Sequence, residues 1–197
     1  MEHVKKESAL LIGLACLLIG FLGGIVFSIY KSPAPAPSVE QQAQQDMAQQ
    51  LAARIVSLEQ EVAANPKNEA ALIQLGHAYY DTNQPPKAIE AYSKALAINP
   101  NNPDVLTDMG VMYRQNGQPQ KAIEAFDKAI ELNPKHEQAR FNKGVVLLYD
   151  LNDKENALKV WQELVEIDPA AKTPNNILVS DIIDQVKNSP EGQEKKQ

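Results

Sequence analysis

Metal ligation and acid–base or nucleophilic catalysis need His, Cys, Asp, Glu or Ser at particular spacings, and this sequence offers few starting points. It has three histidines, His3, His77 and His136, and one cysteine, Cys16. A zinc site needs three or four ligands brought together. Neither His3 nor His136 has a second His or Cys near it, and Cys16 stands alone in an apolar run. No CxxCH haem signature, no glycine-rich phosphate loop and no Ser/His/Asp order is present. His77 has no His or Cys partner at metal spacing, which favours a polar surface contact over a ligand or a general base. The expectation is a protein that is not an enzyme and holds no cofactor or metal. Its chemistry is then non-covalent recognition, and the question becomes which elements present the recognising side chains.

Charge narrows the partners. The formal net charge is -6, and no cluster of Lys or Arg interleaved with aromatics gives a nucleic-acid footprint. The expected partner is a protein or peptide, with no nucleic acid. Hydrophobic residues make up 44% of the 197 positions but are unevenly placed. From Ala9 to Tyr30 the chain reads ALLIGLACLLIGFLGGIVFSIY, 22 residues without a charge. A helix crosses the hydrocarbon core with roughly 20 apolar residues, and a signal-peptide core is shorter, roughly 7–15. Residues 9–30 are therefore read as an uncleaved transmembrane helix in contact with the lipid bilayer. Lys5 and Lys6 precede it, and only Lys31 follows closely. The positive-inside rule then puts residues 1–8 in the cytoplasm and the rest across the inner (cell) membrane, facing the periplasm or exterior. Gly20 and Gly24 form a GxxxG pair, which permits a helix–helix contact and a homodimer through the membrane helix. The alternative is that small residues are simply common in such helices.

Residues 31–38 begin KSPAPAP, whose alternating prolines favour an extended spacer of about 3.1 Å per residue. Ser38 with Gln41 makes a capping box for a helix over 39–64. Leu51, Ile55, Leu58 and Val62 repeat at helical spacing near its end. Upstream the seam turns polar at Gln44 and Gln41, so packing against the following domain fits better than a coiled coil.

Internal periodicity is the strongest signal in the chain. Leu72, Leu75, Gly76, Tyr79, Ala88, Tyr92, Ala95 and Pro100 recur 34 residues on as Leu106, Met109, Gly110, Tyr113, Ala122, Phe126, Ala129 and Pro134. A third unit keeps Gly144, Leu147, Ala157, Trp161, Leu164 and Pro169, with one extra residue in the turn around Asp150–Asp153. This pattern resembles the tetratricopeptide repeat family over about half the chain, Glu69 to Pro169. Lys143 stands where the family usually has Leu; its stem is expected to lie along the seam with the ammonium in water. The resemblance implies an all-α fold: a solenoid of helix–turn–helix units at 69–102, 103–136 and 137–171, the last degenerate. A solenoid exposes an apolar face at each end, so caps are needed. Leu51–Ala64 is expected to cap the front. A helix opened by Thr173–Pro174 over 173–188, carrying Leu178, Ile182 and Val186, is expected to cap the back. Residues 189–197 are expected to be a disordered tail.

In this family the first helices of the units line a groove that holds a peptide. Carried over by repeat position, the groove residues are Ile73, His77, Tyr80 and Asp81 in unit one. Unit two gives Thr107, Val111 and Arg114, and unit three gives Phe141, Val145, Leu148 and Tyr149. The set suits an apolar or amphipathic segment, with a carboxylate near Arg114. It departs from the members that clamp a terminal carboxylate with Lys and Asn, at positions taken here by Ile73, His77, Val111 and Phe141. The layout is similar to anchored tetratricopeptide proteins of cytochrome c maturation and nitrite-reductase assembly. The implied function is a membrane-anchored binding scaffold, an assembly factor for envelope proteins. The competing reading is a structural subunit of an envelope machine held through its membrane helix.

Overall fold

The computed structural model describes residues 38–188. The run 9–30 expected to cross the membrane, with Gly20 and Gly24, the spacer up to residue 37 and the tail 189–197 lie outside the described residues. Among the described residues, no helix is long and apolar enough to cross a membrane. The chain divides after Asp46 into two units. Of the first, Ser38–Asp46 is described. Every residue of that stretch is exposed, and Ser38 and Gln41 form the reciprocal bonds of a capping box, Gln41 N to Ser38 Oγ at 3.2 Å and Ser38 N to Gln41 Oε1 at 3.0 Å.

Eight helices make up the described chain: α1 (Val39–Ala64), α2 (Glu69–Asp81), α3 (Pro85–Ile98), α4 (Pro103–Gln115), α5 (Pro119–Leu132), α6 (Glu137–Tyr149), α7 (Lys154–Ile167) and α8 (Val179–Asn188). Their ends repeat as the sequence does. Asn68, Asn102 and His136, each 34 apart, accept the backbone N–H of Ala71, Val105 and Ala139 at the starts of α2, α4 and α6. Each satisfies a donor that a helix start leaves orphaned. Pro85 and Pro119 open α3 and α5, where the missing N–H costs nothing. Between the helices of each unit the backbone passes through the left-handed region, at Asn83 (φ 53°), Gly117 (φ 68°) and Asn152 (φ 53°). The third turn holds the extra residue between Asp150, which ends α6, and Asp153, which caps α7.

Within a unit the aromatic ring of the second helix lies directly on the glycine of the first. A Cβ on Gly76, Gly110 or Gly144 would sit closer than 3.0 Å to three ring atoms of Tyr92, Phe126 or Trp161 respectively. The glycine is the seat for the aromatic ring of the second helix, and the three rings are at most 1% exposed. Ala88, Ala122 and Ala157, all 0% exposed, keep that second helix narrow where its neighbours pack. Burying one such large side chain stabilises by about 1.5–3 kcal/mol. The second helix of each unit packs on the first helix of the next, so the pairs α2/α3, α4/α5 and α6/α7 stack in order and α8 continues the stack.

The ends are closed by α1 and α8. Leu58 is buried against Leu75 and Tyr79, Ile55 and Val62 pack beside it, and the Tyr79 hydroxyl donates to the Glu59 carboxylate. The helix expected from residue 173 begins instead at Val179. The cause is local. The Thr173 N–H donates to the Ile177 carbonyl at 2.8 Å, the Thr173 hydroxyl accepts the Ile177 N–H at 3.2 Å, and Asn176 is left-handed at φ 63°. These bonds fold 173–177 into a tight turn, and Val179 N then bonds Ala171 O at 2.9 Å. The buried stripe of α8 shifts accordingly: Val179 and Ile183 are deepest, with Ile182 and Val186 flanking. Lys143 also differs from expectation, since its ammonium meets the Asp127 carboxylate at 2.5 Å.

Candidate functional site

The first helices α2, α4 and α6 share one face, and side chains bridge from each to the next. His77 on α2 reaches the Asp108 carboxylate on α4 at 3.0 Å. Arg114 on α4 donates through Nε to Asp150, at the end of α6, at 2.5 Å. These links join residues 31 and 36 apart, close to the 34-residue period, because stacked units set equivalent positions side by side.

The residues expected to line the groove divide into three groups. Around α2 and α4 a mixed surface stays open. Ile73, Tyr80 and Val111 are partly buried against the first core cluster, His77 is 48% exposed and Asp81 is exposed. Two others are engaged. Thr107 is 1% exposed and its hydroxyl donates to the Pro103 carbonyl at 2.8 Å, so it faces the helix and not the groove. Arg114 spends its charge on Asp150. The third group closes the far end. Phe141 stacks on Trp161 with ring centroids 6.2 Å apart, and Phe141, Val145 and Leu148 pack into the cluster built around Val179 and Ile183 of α8. Tyr149 lies outside it, 69% exposed.

Burial shapes the electrostatics of the open part. It pushes the Asp108 carboxyl above the ordinary range, and the His77 contact opposes this without cancelling it. Tyr80 is raised by burial first, then by Asp108 and Asp81. Tyr92 on α3 is raised far more, again by burial first and then by Asp108. Asp108, Asp150 and Tyr92 were not among the expected site residues. The signal for the first two is a carboxylate one period from a groove cation, give or take one turn. For Tyr92 it is a hydroxyl at the position where the second unit has Phe126.

A second concavity of about 500 Å³ lies between α1 and the first unit. Leu72, Leu75, Val62 and Ala91 form its apolar wall, with Lys87 and Lys94 among its charged lining. Lys87 sits 5.2 Å from the centre of the Tyr79 ring, and Lys94 pairs with Glu90 at 2.6 Å. His136 lies near the first of these places, where its charge would lower the pKa of the Asp108 carboxyl. Its Nδ1 accepts the Ala139 N–H, so Nε2 carries the proton and donates to Asp104 at 3.0 Å. Among the described residues no group of three His, Cys, Asp or Glu is placed to hold a metal ion.

Comparison with known families now adds to the geometry. The family described as TPR repeat matches residues 76–117, and that described as tetratricopeptide repeat matches 103–136 and 138–171. No curated protein matches the chain. Solved structures share the fold. The crystal structure of MamA protein superposes with a TM-score of 0.62 at 21% identity, covering 74% of this chain and 78% of that one. The first TPR of Spaghetti (RPAP3), bound to the HSP90 peptide SRMEEVD, gives 0.54 at 22% identity, over 60% of this chain and 90% of that one. The Sgt2 TPR domain from Aspergillus fumigatus gives 0.54 at 25% identity, over 60% and 76%.

Proposed function

Since residues 76–171 carry tetratricopeptide repeats, we propose that this protein is a membrane-anchored scaffold binding an apolar or amphipathic segment on the face of its first two units. Tetratricopeptide repeats serve protein–protein interaction, and one structure with the same fold is bound to a peptide. The observation that carries the reading is the open mixed surface between α2 and α4. There Ile73, Tyr80 and Val111 present partly exposed apolar area beside His77, Asp81 and Asp108; Phe141, Val145 and Leu148 of the third unit are likewise partly exposed, beside α8. We assign the binding segment to units one and two, where the apolar area adjoins these polar groups.

The anchor belongs to the same proposal and rests on the uncharged run 9–30. The lysine asymmetry around it sets the orientation, with the repeats facing the periplasm or exterior. Protease added to spheroplasts is expected to digest the repeats; repeats spared until the membrane is lysed would reverse the orientation. At the level of pathway, the layout supports an assembly factor for envelope proteins such as c-type cytochromes. Deleting the gene should then lower covalent haem attachment in membranes.

A photo-crosslinking residue tests the face itself. Val111→p-benzoylphenylalanine in the full chain should give a discrete adduct in cells. Lys128→p-benzoylphenylalanine, on exposed α5 surface, should not. Equal adducts at both positions would remove the claim that binding is confined to this face.

A further inference from the structure

Tyr92 is 0% exposed, and its hydroxyl has no hydrogen-bond partner among the described residues. The second unit solves the same packing problem with Phe126, which carries no such group. A buried hydroxyl without a partner is a standing cost that phenylalanine avoids. Its surroundings are specific. The Tyr92 ring meets His77 edge-on, centroids 5.7 Å apart. His77 in turn bonds Asp108 at 3.0 Å, so the Tyr92 ring lies beside the α2–α4 link, and Asp108, Tyr80 and Asp81 act on it electrostatically. Asp108 uses Oδ2 to accept from His77, and its Oδ1 has no protein partner among the described residues.

The charge balance there is one-sided. Three carboxylates, Asp81, Asp104 and Asp108, face two histidines, His77 and His136. The cations farther along the face are already matched, Arg114 by Asp150 and Lys143 by Asp127. A ligand carboxylate would meet like charge in the cleft and a neutralised arginine beyond it. A ligand cation would meet unfilled acceptors.

We propose that the cleft between α2 and α4 receives a positively charged side chain of the bound segment, lysine or arginine, on Asp108 Oδ1 and the Tyr92 hydroxyl oxygen, with Asp81 at the rim. This rests on the groove reading above and gives it a chemical specificity. Ammonium and guanidinium groups offer several donors and no acceptor, which matches acceptors left open. The half-exposed His77 turns off Asp108 to admit the cation, and Tyr92 then gains the partner it lacks in the free protein.

The test is selection of a displayed peptide library on the full-length chain in detergent micelles. Isolated peptides are then titrated against the full-length chain and its variants, with the melting temperature of each protein recorded. Bound peptides are expected to be enriched in Lys or Arg at one position. Changing that residue to norleucine or citrulline should weaken binding about tenfold, the scale of a charged hydrogen bond. Asp108→Asn should cost the same for the charged peptide and nothing further for the neutral one. Tyr92→Phe should raise the melting temperature while weakening the charged peptide, a split that a purely structural residue would not give. Peptides sensitive to Val111→Glu but lacking Lys or Arg, or indifferent to Asp108→Asn, would overturn the cation site and leave the groove standing. A library yielding no peptide sensitive to Val111→Glu would overturn both.

Discussion

Arg140 occupies the position held by Leu72 and Leu106 in the first two units. It is 8% exposed, and its Nε and Nη1 have no acceptor among the described residues. A buried guanidinium loses hydration that apolar neighbours cannot replace. Arg140→Leu is therefore expected to raise stability by about 1–2 kcal/mol, read as a higher denaturant midpoint at unchanged slope. A lower midpoint would show that Arg140 has an acceptor in solution. The substitution is legible in the same register that shows Lys143 departing from the family pattern. What a single sequence does not give is where the charge goes: Lys143 finds Asp127 across the seam, while Nε and Nη1 of Arg140 have no acceptor among the described residues. The tyrosines yield a pH prediction of definite sign. Burial, with Glu59 beside it, pushes Tyr79 up to about 12, and Tyr80 and Tyr92 are raised as well. Above pH 10 the unfolded chain gives up these protons and the folded chain holds them. Stability is thus full below pH 10 and falls as the pH rises towards 12. Melting curves from pH 9 to 12 should show that fall, and Tyr92→Phe should lessen it. A flat profile would mean that these hydroxyls ionise freely in the folded state.

At the scale of elements, most of the architecture was open to reading because it rests on short-range chemistry. The helix starts at Asn68 and Asn102 and the turn at Asn116–Gly117 are local. The seats at Gly76 and Gly110 follow from a period of 34. The back cap shows where local reading stops. Thr173–Pro174 looks like a helix start, yet Thr173 spends both its amide and its hydroxyl on Ile177. That bonding lies wholly within Ala171–Val179, so a local turn competes with a local helix start and the residue types alone do not decide between them. The same element decides the fate of the third unit. By repeat position Phe141, Val145 and Leu148 are groove residues; they pack against the cluster formed with α8 and stay partly exposed. Phe141→Ala should accordingly cost about 3–5 kcal/mol of stability, measured by circular dichroism melting. A variant that melts like the parent would return Phe141 to the open groove.

For the whole molecule, the account is of a stacked array capped at both ends, with its recognition surface on the first two units. Of the expected groove set Thr107 is buried and Arg114 is paired; Ile73, His77, Tyr80, Asp81 and Val111 on units one and two, and Phe141, Val145, Leu148 and Tyr149 on unit three, keep accessible surface. The polar partners that complete the site, Asp108 and Tyr92, come from the next unit and from the second helix, so only the stack assembles them. The central claim is that partner binding runs through this surface and is separable from folding. Capture of the partner and thermal melting, measured on the same full-length samples, test it most directly. Tyr80→Ala combined with Val111→Glu should cost about 2 kcal/mol or more of binding, the usual scale for an aromatic anchor, with the protein still folded at the capture temperature although its melting point falls, since both side chains pack partly on the core. A folded double variant that captures the partner as well as the parent would contradict the account.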